Sequence, residues 1–435
     1  MKRLARIRLL AAALVATLTL AACGPGEPAA DAGPVKLVYW SWAPEIESIV
    51  AIWNQNHPDV QVEVSTAAGF SEFNAKLLAA YQAGNPPDVN NTSYQNLPLL
   101  VSNGVVADLT ETMGPLQQEF SPVAWQMVSF DGAVYGVPQA TTPNLLFYRK
   151  DLFAKYGIEP PTTWTEYAAA ARAVHAEDPD VFLANIDLGG AFGFFTAMGQ
   201  QNGVQPWTLA DGTWTVGLNS PEAKEMIKIW GDLIADGVIA THKSGSPELN
   251  AAVADGKILS TIDSVWAPIS MAGYAPDTKN QWGVTIAPQL NPERPVSGVL
   301  GGSATVVSSI SKHPKEAAEF ARWLNYSDES LQAYIKKVSI YPAKLSARSF
   351  PELRTPPPLI SDVSDFYQLA GDIDRHGQPV TWGPNAATAQ EIFGKELGAA
   401  LVAGGDTEQL QAALDRVQEQ VVADLKKSGY EVAGG

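Results

Sequence analysis

From Val35 onward, apolar positions switch between two periods. Val35 to Trp42 is an apolar run of strand length, read as a parallel strand buried on both sides. Ile46, Ile49, Val50 and Trp53 then recur at i, i+3, i+4 and i+7, the stripe of a helix that Pro58 stops. Val60, Val62 and Val64 alternate as a second strand. Phe73, Lys76, Leu77, Ala80 and Tyr81 outline the next helix, Gly84 closes it, and Pro87-Asp88-Val89 enters a third strand. Such a βαβαβ order is that of an open α/β sheet.

The punctuation continues downstream. Thr163-Trp164-Thr165-Glu166 is a capping box, and Ser220-Pro221 sets a capping serine before a helix with Ala223, Met226, Ile227, Trp230 and Ile234 on one face. Ser246-Pro247 opens another helix that Gly256 ends, and Ile258 to Ile262 forms a strand leading into Asp263 and Trp266. Asp131-Gly132 and Asp211-Gly212 read as hairpin turns, with Trp207 and Trp214 packing on each other across the second. Trp53 and Trp230 lie on helical stripes and read as core, as does Trp40 at its strand end.

One phrase recurs. Trp42-Ala43-Pro44 returns as Trp266-Ala267-Pro268 and as Trp382-Gly383-Pro384, and Trp42 and Trp266 both stand where a strand turns into a helix; a helix through Ala389, Ile392, Phe393 and Leu397 follows Trp382. Open α/β sheets bind ligands beyond the carboxyl ends of their strands. Three indoles near such positions suit a guest with an apolar face and a polar rim, which describes a sugar ring. Asp187 and Asp263 could accept its hydroxyls or merely cap helices.

The composition narrows the partners. A formal charge of −17 with no Lys/Arg cluster sets nucleic acid aside. Lys2, Arg3, Arg6 and Arg8, the apolar run Leu9 to Leu20, and Leu20-Ala21-Ala22-Cys23 read as an export signal ending in a lipobox. Cys23 is the only cysteine, so the folded body relies on its core rather than on disulfides. Gly24 to Pro34 reads as a flexible tether. No later apolar run has the length of a membrane span, which leaves lipid on Cys23 as the expected anchor.

Together these residues resemble the extracellular solute-binding proteins of ABC importers, in the carbohydrate-binding group that includes maltose-binding protein. The landmarks are Lys36 to Trp40, Gly84-Asn85-Pro86-Pro87-Asp88-Val89, Asp131 to Pro138, Leu146 to Phe153, Ile262 to Trp266 and Trp282 to Pro288. The resemblance implies a two-lobed α/β fold with hinge crossover strands near Pro138 to Phe147 and Gly283 to Leu290, and a ligand cleft between the lobes. It divides the chain into a signal peptide at 1–22, a tether at 23–34, a first lobe of 35–142 with 288–345, and a second of 143–287 with 346–435. It implies an exported, lipid-anchored monomer that closes on a carbohydrate and docks on a permease with its ATPase, without cofactor, metal or catalysis.

Carried over residue by residue, the resemblance puts Trp266 and Trp382 on stacking aromatics. It adds Gln139 and Thr142 in the first crossover, Asn91 and Tyr94 after the third strand, Gly190 and Phe192 in a second-lobe loop, and Gly301-Gly302-Ser303 in a small-residue turn. Trp42 and Glu45 stand where the maltose binder has charged residues. A polyol or glycerophosphodiester receptor is the alternative, with a glycoside hydrolase behind it, since nothing selects a carboxylate pair. Ser309-Ile310-Ser311-Lys312 fits Ser-x-x-Lys but lacks the companion motifs of that enzyme class.

Overall fold

The computed structural model describes residues 33–66 and 70–433; the leader, Cys23 and most of the tether lie outside them. The folded body begins at Val35. Its main strands, in chain order, are β1 (Val35–Ser41), β2 (Val60–Thr66), β3 (Val89–Ser93), β4 (Val137–Ala140), β5 (Leu145–Arg149), β6 (Trp207–Ala210), β7 (Thr213–Val216), β8 (Ser260–Asp263), β9 (Trp282–Ile286) and β10 (Ser303–Val307).

Two sheets organise the molecule. The larger has the order β2-β1-β3-β10-β4: β1 runs parallel to β2 and β3, whereas β10 runs antiparallel to both β3 and β4. The smaller is the antiparallel set β8-β5-β9. This is a mixed α/β architecture of the two-lobed kind. β4 ends at Ala140 and β5 starts at Leu145, so Thr141–Asn144 carries the chain from one sheet to the other. Residues 287–302 bring it back, from β9 to β10.

Those two crossings are hydrogen-bonded to each other. Leu300 N–H donates to the Thr142 carbonyl at 3.3 Å, Asn144 N–H donates to Ser297 Oγ at 3.1 Å, and Pro143 bridges Val299. A third stretch lies alongside, because Thr141 N–H donates to the Tyr341 carbonyl and Ala343 N–H to that of Gln139. Beside them Arg348 donates to Asp374 at 2.7 Å and rests over the Tyr341 ring at 4.8 Å.

Local chemistry explains most element boundaries. Thr163 and Glu166 complete the capping box of the helix Trp164–Glu177, and the Ser220 and Ser246 side chains accept from Ala223 and Leu249 N–H at the starts of their helices. Asp131-Gly132 and Asp211-Gly212 both take positive φ between short antiparallel strands. Trp53 and Trp230 are core residues, 3% and 4% exposed.

Three expectations are corrected. β1 is not buried on both sides: Leu37 and Tyr39 are sealed under the helices Ile46–Asn56 and Pro314–Tyr326, while Val38 on the other face is 38% exposed. On the helix Pro221–Ala235 it is Leu233 that is buried, with Ile234 only partly covered. Trp207 meets Phe192 and Trp382 rather than Trp214, since its indole enters the space that Gly383 leaves open.

Gly298, in the second crossing, holds that segment against the helix Phe192–Gly199. A Cβ there would lie 1.9 Å from the Ala197 carbonyl oxygen, a backbone atom that cannot step aside. Gly298→Ala is therefore expected to lower stability by about 1–3 kcal/mol or more in denaturant unfolding. Gly273→Ala, where a Cβ meets nothing within 4 Å, should be neutral or raise stability by up to about 1 kcal/mol. Equal effects at the two positions would refute the close approach.

Candidate functional site

At the carboxyl edge of the larger sheet, β1 stops at Ser41 because its hydroxyl turns back into the protein. Ser41 Oγ donates to Asn91 Oδ1 at 2.5 Å and accepts from Ala43 N–H at 3.1 Å, which fixes where Trp42 emerges. Trp42 is half-buried and meets Phe73 edge to face, with centroids 5.0 Å apart. Glu45 is exposed in the left-handed region, φ 57°, and its carbonyl anchors Ser48 at the start of the next helix. Its carboxylate takes no part in that cap.

Asn91 and Gln139 belong to a sealed amide network. Tyr39 OH also donates to Asn91 Oδ1, at 2.5 Å; Gln139 Oε1 accepts from Ser303 Oγ at 2.8 Å, and Gln139 Nε2 donates to Asn325 Oδ1 at 3.2 Å. Asn325 in turn donates to the Val137 carbonyl and to Thr305 Oγ1. Burial pushes the Tyr39 phenol up to about 12, so it stays a proton donor. The side chains of Asn91 and Gln139, expected to face solute, are instead spent on one another because each stands between strands that must be held at this edge.

Tyr94 is likewise enclosed. Its hydroxyl donates to the Ala140 carbonyl at 3.0 Å, and its ring occupies the space beside Gly302, where a Cβ would come within 2.6 Å of it. Gly301 and Gly302 have φ of 95° and 90°, so this turn needs glycine. Burial, and secondarily the Asp374 charge, raises the Tyr94 phenol well above its ordinary range. Thr142 is buried and, among the described residues, its hydroxyl has no hydrogen-bond partner, nor has either polar atom of the Asn144 side chain.

On the smaller sheet, β8 ends at Asp263, opposite Leu145 at the start of β5 and so next to the first crossing. Trp266 follows at the entry of the helix Ala267–Tyr274 and is 43% exposed, unusually open for an indole. Asp263 keeps some solvent contact, yet it is embedded in protein and, among the described residues, accepts from one donor, Ser264 N–H at 2.8 Å. Burial pushes its carboxyl up to about 7, against the pull of that hydrogen bond. Burial and then the Asp263 charge push Tyr274 up to about 12.

Trp382 is mostly buried, stacked obliquely on Phe192 and Trp207 at 6.1 Å each. What remains open faces a cavity of about 80 Å³ whose other wall is Tyr94, Gln126 and Phe130 from the larger-sheet half of the chain. Gln95 donates to Gln390 at 2.8 Å, so the segment after β3 also touches the helix Ala386–Val402. Phe192, expected to offer a ring to solute, is fully buried and backs Trp382 instead. Asp187 braces its own loop, accepting from Gly190 N–H and Ser244 N–H; Gly190 is exposed, and a Cβ there would press on that carboxylate.

The expected residues thus fall into three groups. Asn91, Gln139 and Ser303 form a platform; Tyr94, packed on Gly302, shares one crevice with Trp382; Asp263 lies beside the first crossing and Trp266 follows it by three residues. Trp42 and Glu45 lie at the platform's β1 corner. Gln126, Phe130 and Asn325 were missed. Asn325 had a signal, a carboxamide on the same helical stripe as Ala318, Ala321 and Leu324, whereas Gln126 and Phe130 sit in short irregular elements without periodicity. Among the described residues no group of His, Cys, Asp and Glu could hold a metal ion.

Residues 48–359 match the family model of the bacterial extracellular solute-binding protein. The chain is 23% identical over 369 residues to the arabinooligosaccharide-binding protein of Bacillus subtilis (strain 168), covering 82% of this chain and 83% of that one. It is 25% identical over 425 residues to the galactooligosaccharide-binding protein of the same organism, covering 94% and 95%. In fold it is similar to the galacto-N-biose-/lacto-N-biose I-binding protein of the ABC transporter from Bifidobacterium longum in complex with lacto-N-biose. The TM-score is 0.78 at 24% identity, with 93% of this chain and all of that one covered.

Asp263 gives the site a pH signature. The unfolded chain releases this proton near 3.8 and the folded protein only near 7, so between those values the folded state binds more protons. The group's contribution to stability is full below 3.8 and is lost as pH rises through 7. Asp263→Asn cannot ionise. Its stability relative to the wild type should therefore climb from pH 3.8 to pH 7 and then level off in denaturant titrations; a flat difference would contradict the buried carboxyl.

Proposed function

The chain belongs to the bacterial extracellular solute-binding protein family, and on that premise we propose that it captures a carbohydrate, a mono- or oligosaccharide, and delivers it to an ABC permease. The observation that carries the carbohydrate class is the placement of Asp263 at the end of β8 with the open indole of Trp266 three residues on. An indole that is 43% exposed offers a flat apolar face, and the carboxyl keeps acceptor capacity that Ser264 alone does not fill. A pyranose matches both, with its C–H face on the ring and a hydroxyl on the oxygen.

Sheet membership supports a hinged division into 35–142 with 288–345 and 143–287 with 346–435, because β1–β4 and β10 share one sheet and β5, β8 and β9 the other. Rotation about the crossings would bring Trp266 and Trp382 toward Trp42 and the platform, and the closed form would dock on the permease and its ATPase. The lipobox supports anchoring through acylated Cys23, with the tether giving the body reach above the membrane. Catalysis has no part in this reading, since family members bind solutes.

Calorimetry of the chain against arabino-, galacto- and maltooligosaccharides tests it. Saturable binding without release of reducing ends is the expected result; turnover would replace the receptor by a glycosidase, and silence across all three series would remove carbohydrate as the solute class. Trp266→Ala should weaken the best ligand by about 1–3 kcal/mol, the loss of one large desolvated aromatic contact. Unchanged affinity would take Trp266 out of the site.

A further inference from the structure

A second, larger depression lies on the helical layer of the five-stranded sheet and shares no residue with the crevice beside Trp382. It is an open groove of about 530 Å³, walled by Trp53 and His57 from one helix and by Glu319, Arg322, Trp323 and Tyr326 from another. That size falls within the usual range for small-molecule sites, about 300–1,000 Å³.

The walls are held rigidly. Trp53 stacks on His57, with centroids 3.5 Å apart and planes at 11°, and its N–H donates to the Val60 carbonyl. Trp323 is seated edge-on against Trp53 at 5.4 Å and backed by Phe320 at 6.3 Å. At the far end Lys344 is fixed by the Tyr326 carbonyl and Asp328 Oδ1, both at 2.8 Å, and stands 4.2 Å over the Tyr326 ring. Preorganised aromatic walls of this kind lose little freedom when a ligand arrives.

What the walls leave unspent is more telling. The Trp323 indole N–H, the Tyr326 hydroxyl, the Arg322 guanidinium and the Glu319 carboxylate make no hydrogen bond or ion pair with any described residue. Glu319 and Arg322 stand three apart on one helix, a spacing that permits pairing, and do not pair. The groove therefore offers donors and an acceptor around partly open aromatic faces. Its charges nearly balance, with Asp328 neutralising Lys344 and Glu319 standing next to Arg322, so it has no excess positive charge with which to grip a phosphate.

We propose that this groove is a second saccharide site, taking a neutral mono- or disaccharide whose C–H face lies on Trp323 and whose hydroxyls bridge Arg322 and Glu319. It stands on the groove's own chemistry, and the reading of Trp266 and Asp263 can fail without it.

The test uses the whole chain labelled with 5-fluorotryptophan and titrated with lactose, maltose and cellobiose, with inorganic phosphate as the charged control. The Trp323 and Trp53 fluorine resonances should shift along an isotherm of their own that survives Trp266→Ala. The double variant Glu319→Gln/Arg322→Gln, at exposed positions that do not support the core, should weaken that isotherm by about tenfold or more, as expected for losing hydrogen bonds to charged groups. No shift with any of the three sugars, a shift indifferent to the double variant, or a response to phosphate alone would each overturn the second site.

Discussion

The structure at the carboxyl edge of the larger sheet depends on a buried amide network. Asn91, Gln139 and Asn325 are at most 5% exposed, and each leaves its carboxamide satisfied only if the others are in place. Burying such a group unpaired costs about 1–3 kcal/mol, so the three are bound to one arrangement. That arrangement joins β1, β3, β4 and β10, of which β1 ends at Ser41 and β10 begins only at Ser303. The edge is consequently a fixed platform from which Trp42 and the Gly301-Gly302 turn project.

The crossings contrast with that platform. Among the described residues, Thr142 Oγ1 and both polar atoms of Asn144 are buried without partners, only a few residues from Gln139, whose every polar atom is engaged. Both belong to Thr141–Asn144, which passes from one sheet to the other. A segment with unspent polar groups has less to lose on rearrangement than one whose bonds are complete. The platform is held by its own completed hydrogen bonds, and Gly298 sets how closely the second crossing rests on its helix.

The larger sheet was legible in the sequence wherever one periodicity ran uninterrupted. Ile46, Ile49, Val50 and Trp53 are the buried face of their helix as their spacing implies, and the caps at Thr163, Ser220 and Ser246 behave as their residue types demand. Positions whose environment is made by distant segments were not legible. Phe192 reads as a loop aromatic until Trp207, Trp382 and Phe393 close around it, and Asn91 reads as a solute ligand until Tyr39 and Ser41 claim its oxygen. Cys23 and its lipobox are legible in sequence alone, since they lie outside the described residues.

The repeated Trp-x-Pro phrase shows why motif and exposure are separate properties. Pro268 lies in the first turn of its helix, whereas Pro44 and Pro384 stand in turns two residues before theirs. What then covers the indole depends on the residue between and on the neighbours. Gly383 lets the Trp207 ring come so close that Trp382 is mostly enclosed, and Phe73 covers one side of Trp42. Trp266, followed by the buried Ala267, has no comparable aromatic partner among the described residues and stays 43% exposed. An indole so open lacks much of the stabilisation that burial would give it, and a body without disulfides has no covalent support to offset that loss. In the receptor proposed above, bound solute would supply that missing apolar cover from outside the chain.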